Sequence, residues 1–125
     1  MPDFPIVDSH VHLADPKRFG YAWTKNAPSL NRTVLPQDLT KAAAPVQVDQ
    51  IVFVEVDVDH PQHVAEAAWI QSLAQADPRV KGMVAALPLE KGKAAQAELD
   101  KLRQNKTLRG IRRLIQNQAD PDFCI

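Results

Sequence analysis

Cysteine is nearly missing from this chain of 125 residues. The one thiol, Cys124, has no internal partner, which excludes a disulfide-stapled fold and leaves it an incidental residue. Glycine is also scarce, at 4. No G-x-G-x-x-G follows an apolar run, so the phosphate-cradling loop of a nucleotide-binding module is missing. Neither sign of charge dominates, with 15 Lys+Arg against 15 Asp+Glu, so nothing asks for a nucleic-acid backbone or an anionic membrane as partner. No run approaches the roughly 18 apolar residues of a membrane span. The start, Met-Pro-Asp-Phe-Pro, lacks the basic-then-apolar pattern of a secretory leader. The expectation is a cytoplasmic chain forming one domain or part of one, with 45% apolar residues to build a core.

Four short apolar runs stand out: about 4–13, 50–58, 80–87 and 108–116. Helical patterns lie between them. The first runs from Pro36 to about Ala44. The second starts near Pro61, behind Asp59 as N-cap, and stops at Asp77-Pro78. The third runs from about Lys93 to Asn105, with Ala95, Leu99 and Leu102 on one stripe. Strands alternating with amphipathic helices build parallel sheets. The segment 14–35 has neither period, and so long a loop reads as a lid folded over a site.

The first strand reads Ile6-Val7-Asp8-Ser9-His10-Val11-His12-Leu13. Alternation places Asp8, His10 and His12 on one face and Val7, Ser9, Val11 and Leu13 on the other, which suits helix packing. Two imidazoles one pleat apart at a strand's C-terminal end can reach one ion, and imidazole suits zinc. They are also readable as ordinary polar strand residues. The position favours function, since parallel barrels carry their catalytic groups there. Asp8 could orient a ring or bond a neighbouring strand.

In the second strand Val52, Val54, Val56 and Val58 alternate with Ile51, Phe53, Glu55 and Asp57. An all-valine face is expected against helices. Ile51, Phe53, Glu55 and Asp57 are then expected inside, with the acids at the mouth, where buried acids need a cation or a substrate hydroxyl. By the same logic Ile6, Phe53, Met83 and Leu87 are expected on the inner face. His60 and His63 read as solvated surface residues. In the fourth strand Ile111 and Ile115 fit the helix side, leaving Gly110, Arg112, Leu114 and Gln116 inside. An inward Arg112 needs a substrate carboxylate or an acid such as Glu55. Arg113 then lies outside, where it must reach for water. Trp23 is either a sugar-stacking platform or a pin for the loop.

With these residues in view, the sequence resembles the amidohydrolase superfamily, in particular its sugar lactonase group, which includes fuconolactonases, rhamnonolactonases and pyrone-dicarboxylate lactonases. Val7-Asp8-Ser9-His10-Val11-His12 is similar to their strand-1 signature. Arg18-Phe19-Gly20-Tyr21-Ala22-Trp23 is similar to the lid, with Ala22 where proline is common. Leu108-Arg109-Gly110-Ile111-Arg112 is similar to strand 4, and Asp120-Pro121-Asp122-Phe123 to the loop after it.

The resemblance implies a (β/α)8 TIM barrel that hydrolyses a cyclic ester, with water activated by a divalent metal, zinc foremost, or by a carboxylate base. His10 and His12 would bind the metal or polarise the carbonyl. Trp23, Glu55 and Arg112 would grip a lactone or carboxylate substrate. Relatives also use histidines from strands 5 and 6 and an aspartate from strand 8. This sequence stops after strand 4, so residues 1–125 are expected to form the N-terminal half of such a barrel, with an incomplete site and doubtful activity alone. Exposed sheet edges would favour a homo-oligomer. Two other readings compete: a complementing half-barrel that acts only with a partner chain, and a small open α/β binding module. The last predicts a fifth strand and a glycine loop, and neither is present.

Overall fold

The computed structural model describes residues 3–116 and 118–123, so Cys124 lies outside the described residues. Four strands form one parallel sheet in sequence order: β1 (Val7–Val11), β2 (Gln50–Val54), β3 (Val80–Ala86) and β4 (Leu108–Arg112). Three helices alternate with them: α1 (Pro36–Ala43), α2 (His63–Ala76) and α3 (Gln96–Leu102). This is the β/α alternation of a partial TIM barrel, as expected.

The strands are shorter than their apolar runs. β1 begins at Val7 rather than Phe4, and β2 and β4 end at Val54 and Arg112 rather than Val58 and Gln116. Residues 12–13, 55–58 and 113–116 continue the apolar alternation, but the ladder has already ended there, and Asp57 adopts a positive φ of 55°. In a parallel barrel these post-strand segments are where site residues sit. The helices shift similarly. α2 starts at His63, not Pro61, because the Asp59 side chain is committed to the Ala22 N–H (2.7 Å) instead of capping the helix. Leu89–Ala95 is a 3-10 segment broken by Gly92 at φ 55°, which delays α3 to Gln96.

The faces of β2 and β3 reverse the expectation. Ile51, Phe53, Met83, Ala85 and Leu87 form one buried cluster with Ala67, Ile70 and Leu102 from the helices, Val11 of β1 and Leu13 just beyond it. The opposite face is built by aligned pairs: Val52 beside Gly82, Val54 beside Val84, Val84 beside Gly110, and Ala86 beside Arg112. The valines of β2 therefore line the inner side, and Phe53, Met83 and Leu87 pack against helices. The physical reason is room. Strands converge toward a barrel axis, so inner layers take branched or small residues, whereas the sheet–helix layer holds the larger side chains. Ile111, beside Ala85, does pack on the helix-side core, and Gly110 and Arg112 take the inner side. Val7, expected against helices, is 54% exposed, because β1 is an edge strand.

Candidate active site

The segment 14–35 contains two 3-10 turns, Ala22–Asn26 and Pro28–Leu30, that its sequence did not announce. It folds onto the loop after β2. Gly20 N–H donates to Gln62 Oε1 (2.7 Å), Asp59 N–H donates to Gly20 O (2.9 Å), and Trp23 Nε1 donates to Val56 O (2.9 Å). Tyr21, Ala14 and Val58 bury one another beneath it. Phe19 packs on Trp69 of α2. Asp15 ties the entry of the loop through Arg18 Nε and Thr33 Oγ1.

These anchors set Trp23 beside the strand ends. A cleft of about 460 Å³ is lined by His12, Trp23, Asn26, Asp57, Arg112 and Gln116, among others. Three residues of the expected site, drawn from the β1 end, the loop and β4, thus share one cavity. A groove of about 260 Å³ lies along β1, lined by Asp8, His10, His12, Arg32 and Asp38. His12 borders both.

The two imidazoles stand edge to face with centroids 4.9 Å apart. His12 Nδ1 lies 2.9 Å from Val54 O. A carbonyl can only accept, so Nδ1 carries the proton, and the neutral ring keeps its lone pair on Nε2. This is the way a metal-ligating histidine is usually fixed. Asp8 does not touch either ring; its Oδ1 accepts the His10 backbone N–H (3.1 Å). Among the described residues no group of three His, Cys, Asp or Glu side chains lies close enough to hold an ion. The donor set fits one side of an imidazole-rich metal site: two rings, one of them oriented by a carbonyl.

Glu55 sits in the wall rather than in the cleft. It is 1% exposed, and Arg112 Nε donates to its Oε1 while Arg112 Nη2 donates to its carbonyl oxygen (2.6 Å). Its Oε2 accepts the Asp57 N–H (2.7 Å). The Arg112 side chain remains 28% exposed at the cleft. Burial, and then the Glu55 charge, raise the pKa of Asp57. Arg113 does lie away from this cleft, but it pairs with Glu90 through two bonds and stacks on Phe123 instead of reaching for water.

Two buried groups escaped the sequence reading. His63, expected in solvent, is 1% exposed, with Nε2 2.7 Å from Glu98 Oε2 and its Nδ1 without a partner among the described residues. Burial lowers its pKa, against the opposing pull of Glu98. Glu66, on the inner stripe of α2, is also 1% exposed, and its Oε1 has no partner among the described residues. Burial, reinforced by the charges of Glu55 and Asp57, pushes its pKa to about 8. The only sequence signal for either was an ionisable residue in register with Ala67, Ile70 and Leu73 on a helix stripe.

The sequence profile of the family described as Amidohydrolase matches residues 7–125. The chain belongs to this family. Two solved structures agree. An Amidohydrolase 2 from Bifidobacterium longum subsp. infantis is 26% identical, with a TM-score of 0.60 over 68% of this chain and 33% of its own. An amidohydrolase from Burkholderia multivorans, crystallised with bound zinc, is 23% identical, with a TM-score of 0.68 over 96% of this chain and 43% of its own, and supports the fold. The chain thus spans less than half the length of these amidohydrolases. No curated protein matches it. Among the described residues no helix is long and apolar enough to cross a membrane.

Proposed function

We propose that this amidohydrolase chain contributes the β1–β4 side of an active site that hydrolyses a sugar lactone or related cyclic ester. The observation that carries the reading is the shared cleft, in which His12, Trp23 and Arg112 converge from three separate parts of the chain. A divalent ion, zinc foremost, supported by the zinc in the Burkholderia relative, would polarise the ester carbonyl and lower the pKa of its attacking water. His10 and His12 would hold that ion. Val54 O fixes the tautomer and leaves His12 Nε2 as the donor. Trp23 would offer a flat apolar face to a sugar ring, and its indole N–H, spent on Val56 O, keeps that face in place. Arg112, held by Glu55, would turn its remaining N–H groups to a substrate carboxylate or hydroxyl.

None of the residues assigned a role above is a general base, so water activation falls to another group. This favours, as a second reading, a half-barrel completed by further chain or by a partner. The observations behind it are the two edge strands, β1 and β4, and the inner face, on which Val52, Val84 and Gly110 are partly exposed. We also propose that the isolated chain self-associates through those edges.

The test is a fusion of residues 1–125 to the C-terminal half of the Burkholderia amidohydrolase barrel, assayed with zinc against aldonolactones and against N-acyl amino acids. Lactone turnover that His12→Ala abolishes is the expected result. Turnover of the amides alone would refute the lactone reading.

A further inference from the structure

Alternation carries Glu55 to the same side as Ile51 and Phe53, the side that α2 covers. There it meets the inner stripe of α2, which presents Glu66. Arg112 reaches over the end of β2 from the cleft side and grips Glu55 by carboxylate and carbonyl together. Two buried carboxyls, Glu55 and Glu66, therefore lie on the helix side, and Arg112 holds the first of them. A buried carboxylate without a donor is costly, and Glu66 Oε1 has none among the described residues. The charged groups that act on it are Glu55 and Asp57 from the segment after β2 and Arg112 from β4. Tyr21 of the loop between β1 and α1 senses its charge in turn.

We propose that Glu66 is a specificity-determining residue for the cleft: as a neutral acid it leaves Arg112 able to hold an anionic ligand, and as a carboxylate it withdraws that ability. The inference rests on the reading of Arg112 as the anion grip. The chemistry is charge balance. With Glu66 neutral, the Arg112–Glu55 pair sums to zero, and the Arg112 side chain remains 28% exposed at the cleft. An ionised Glu66 would add a second negative charge to the wall behind Arg112, where charges act more strongly than in water. Carboxylate ligands would lose affinity, and neutral polyols would not. The coupling is reciprocal, so a bound carboxylate must also make Glu66 harder to ionise.

The experiment uses d-gluconate, an aldonate, as the anionic probe and sorbitol as the neutral one. Calorimetric titration at pH 7 and pH 9 compares the chain with Glu66→Gln, which mimics the neutral acid, and Arg112→Met. The expected result is gluconate binding that weakens about tenfold between the two pH values, a pH-independent affinity in Glu66→Gln, and loss of binding in Arg112→Met. Sorbitol should show no pH dependence. If Glu66→Gln keeps the parent slope while Arg112→Met loses binding, the role of Glu66 is refuted and the grip stands. If Arg112→Met binds gluconate as tightly as the parent chain, or the parent chain does not bind it at pH 7, the grip itself fails. A carbon-13 titration of the Glu66 carboxyl in the unmutated chain covers the case of a variant that does not fold. Saturating gluconate should move its midpoint upward by about one pH unit, since one unit corresponds to tenfold in affinity. An unmoved midpoint would overturn the inference.

Discussion

Replacing Glu66 by glutamine should alter the pH dependence of stability in a direction the structure dictates. The folded chain holds the Glu66 proton up to about pH 8, whereas the free side chain releases it near 4.5. Between those values the unfolded state binds fewer protons than the folded state, so stability falls as pH rises through the window and is flat above it. The interval from 4.5 to about 8, at about 1.4 kcal/mol per pH unit, is on the order of 5 kcal/mol. It is an upper figure, since water entering on local opening would relieve part of the penalty. Glutamine keeps the volume and burial but cannot ionise. Urea unfolding of both proteins from pH 4.5 to pH 8.5 should therefore show the variant gaining on the parent by several kcal/mol, the gain starting near zero at the acid end. A difference that stays constant across the range would refute the claim that Glu66 is held neutral.

The other predictions are of the same kind. For Glu55 and Arg112, a double-mutant cycle with Glu55→Gln and Arg112→Met should give a coupling energy of about 1.5–3 kcal/mol in denaturant unfolding, because Glu55 is fully buried and the contact is charge-assisted; a coupling near zero would mean the pair is not formed. His63 has a lowered folded pKa, so the unfolded state takes the proton first, and stability should drop as pH falls below the ordinary histidine value of 6.5. His63→Gln should flatten that drop, measured by the same unfolding series. Phe53→Ala should cost about 3–5 kcal/mol, since Phe53 is fully buried in the sheet–helix layer; a cost below about 1 kcal/mol in thermal unfolding would put Phe53 back on the open inner face.

Much of this architecture was legible in the residue pattern. The four apolar runs and three helical stripes mark the β/α order, and Val11 and Leu13 against His10 and His12 identify the two sides of β1. Arg112 was readable as inward because Gly110 and Ile111 bracket its register. The strand ends were not readable, because 12–13, 55–58 and 113–116 keep the alternation of a strand after the ladder has stopped. The sides of β2 were misread for a physical reason. Apolarity does not distinguish the axis side of a barrel from its helix side; size does, and Phe53 with Ile51 needs the roomier layer. His63 and Glu66 were missed because polarity alone implies solvent, whereas their positions on the α2 stripe are decided by packing. The two turns in 14–35 carry no period long enough to detect.

We propose that His10 and His12 form one side of a metal centre in which Val54 O orients the His12 ring in advance. The most direct test follows the imidazole nitrogens by nitrogen-15 NMR while zinc is added to the chain. Zinc should shift Nε2 of His12 together with a ring nitrogen of His10, leave the proton on His12 Nδ1 toward Val54 O, and lose both effects in His12→Ala. Zinc that moves His60 and His63 while His10 and His12 stay unchanged would contradict the account.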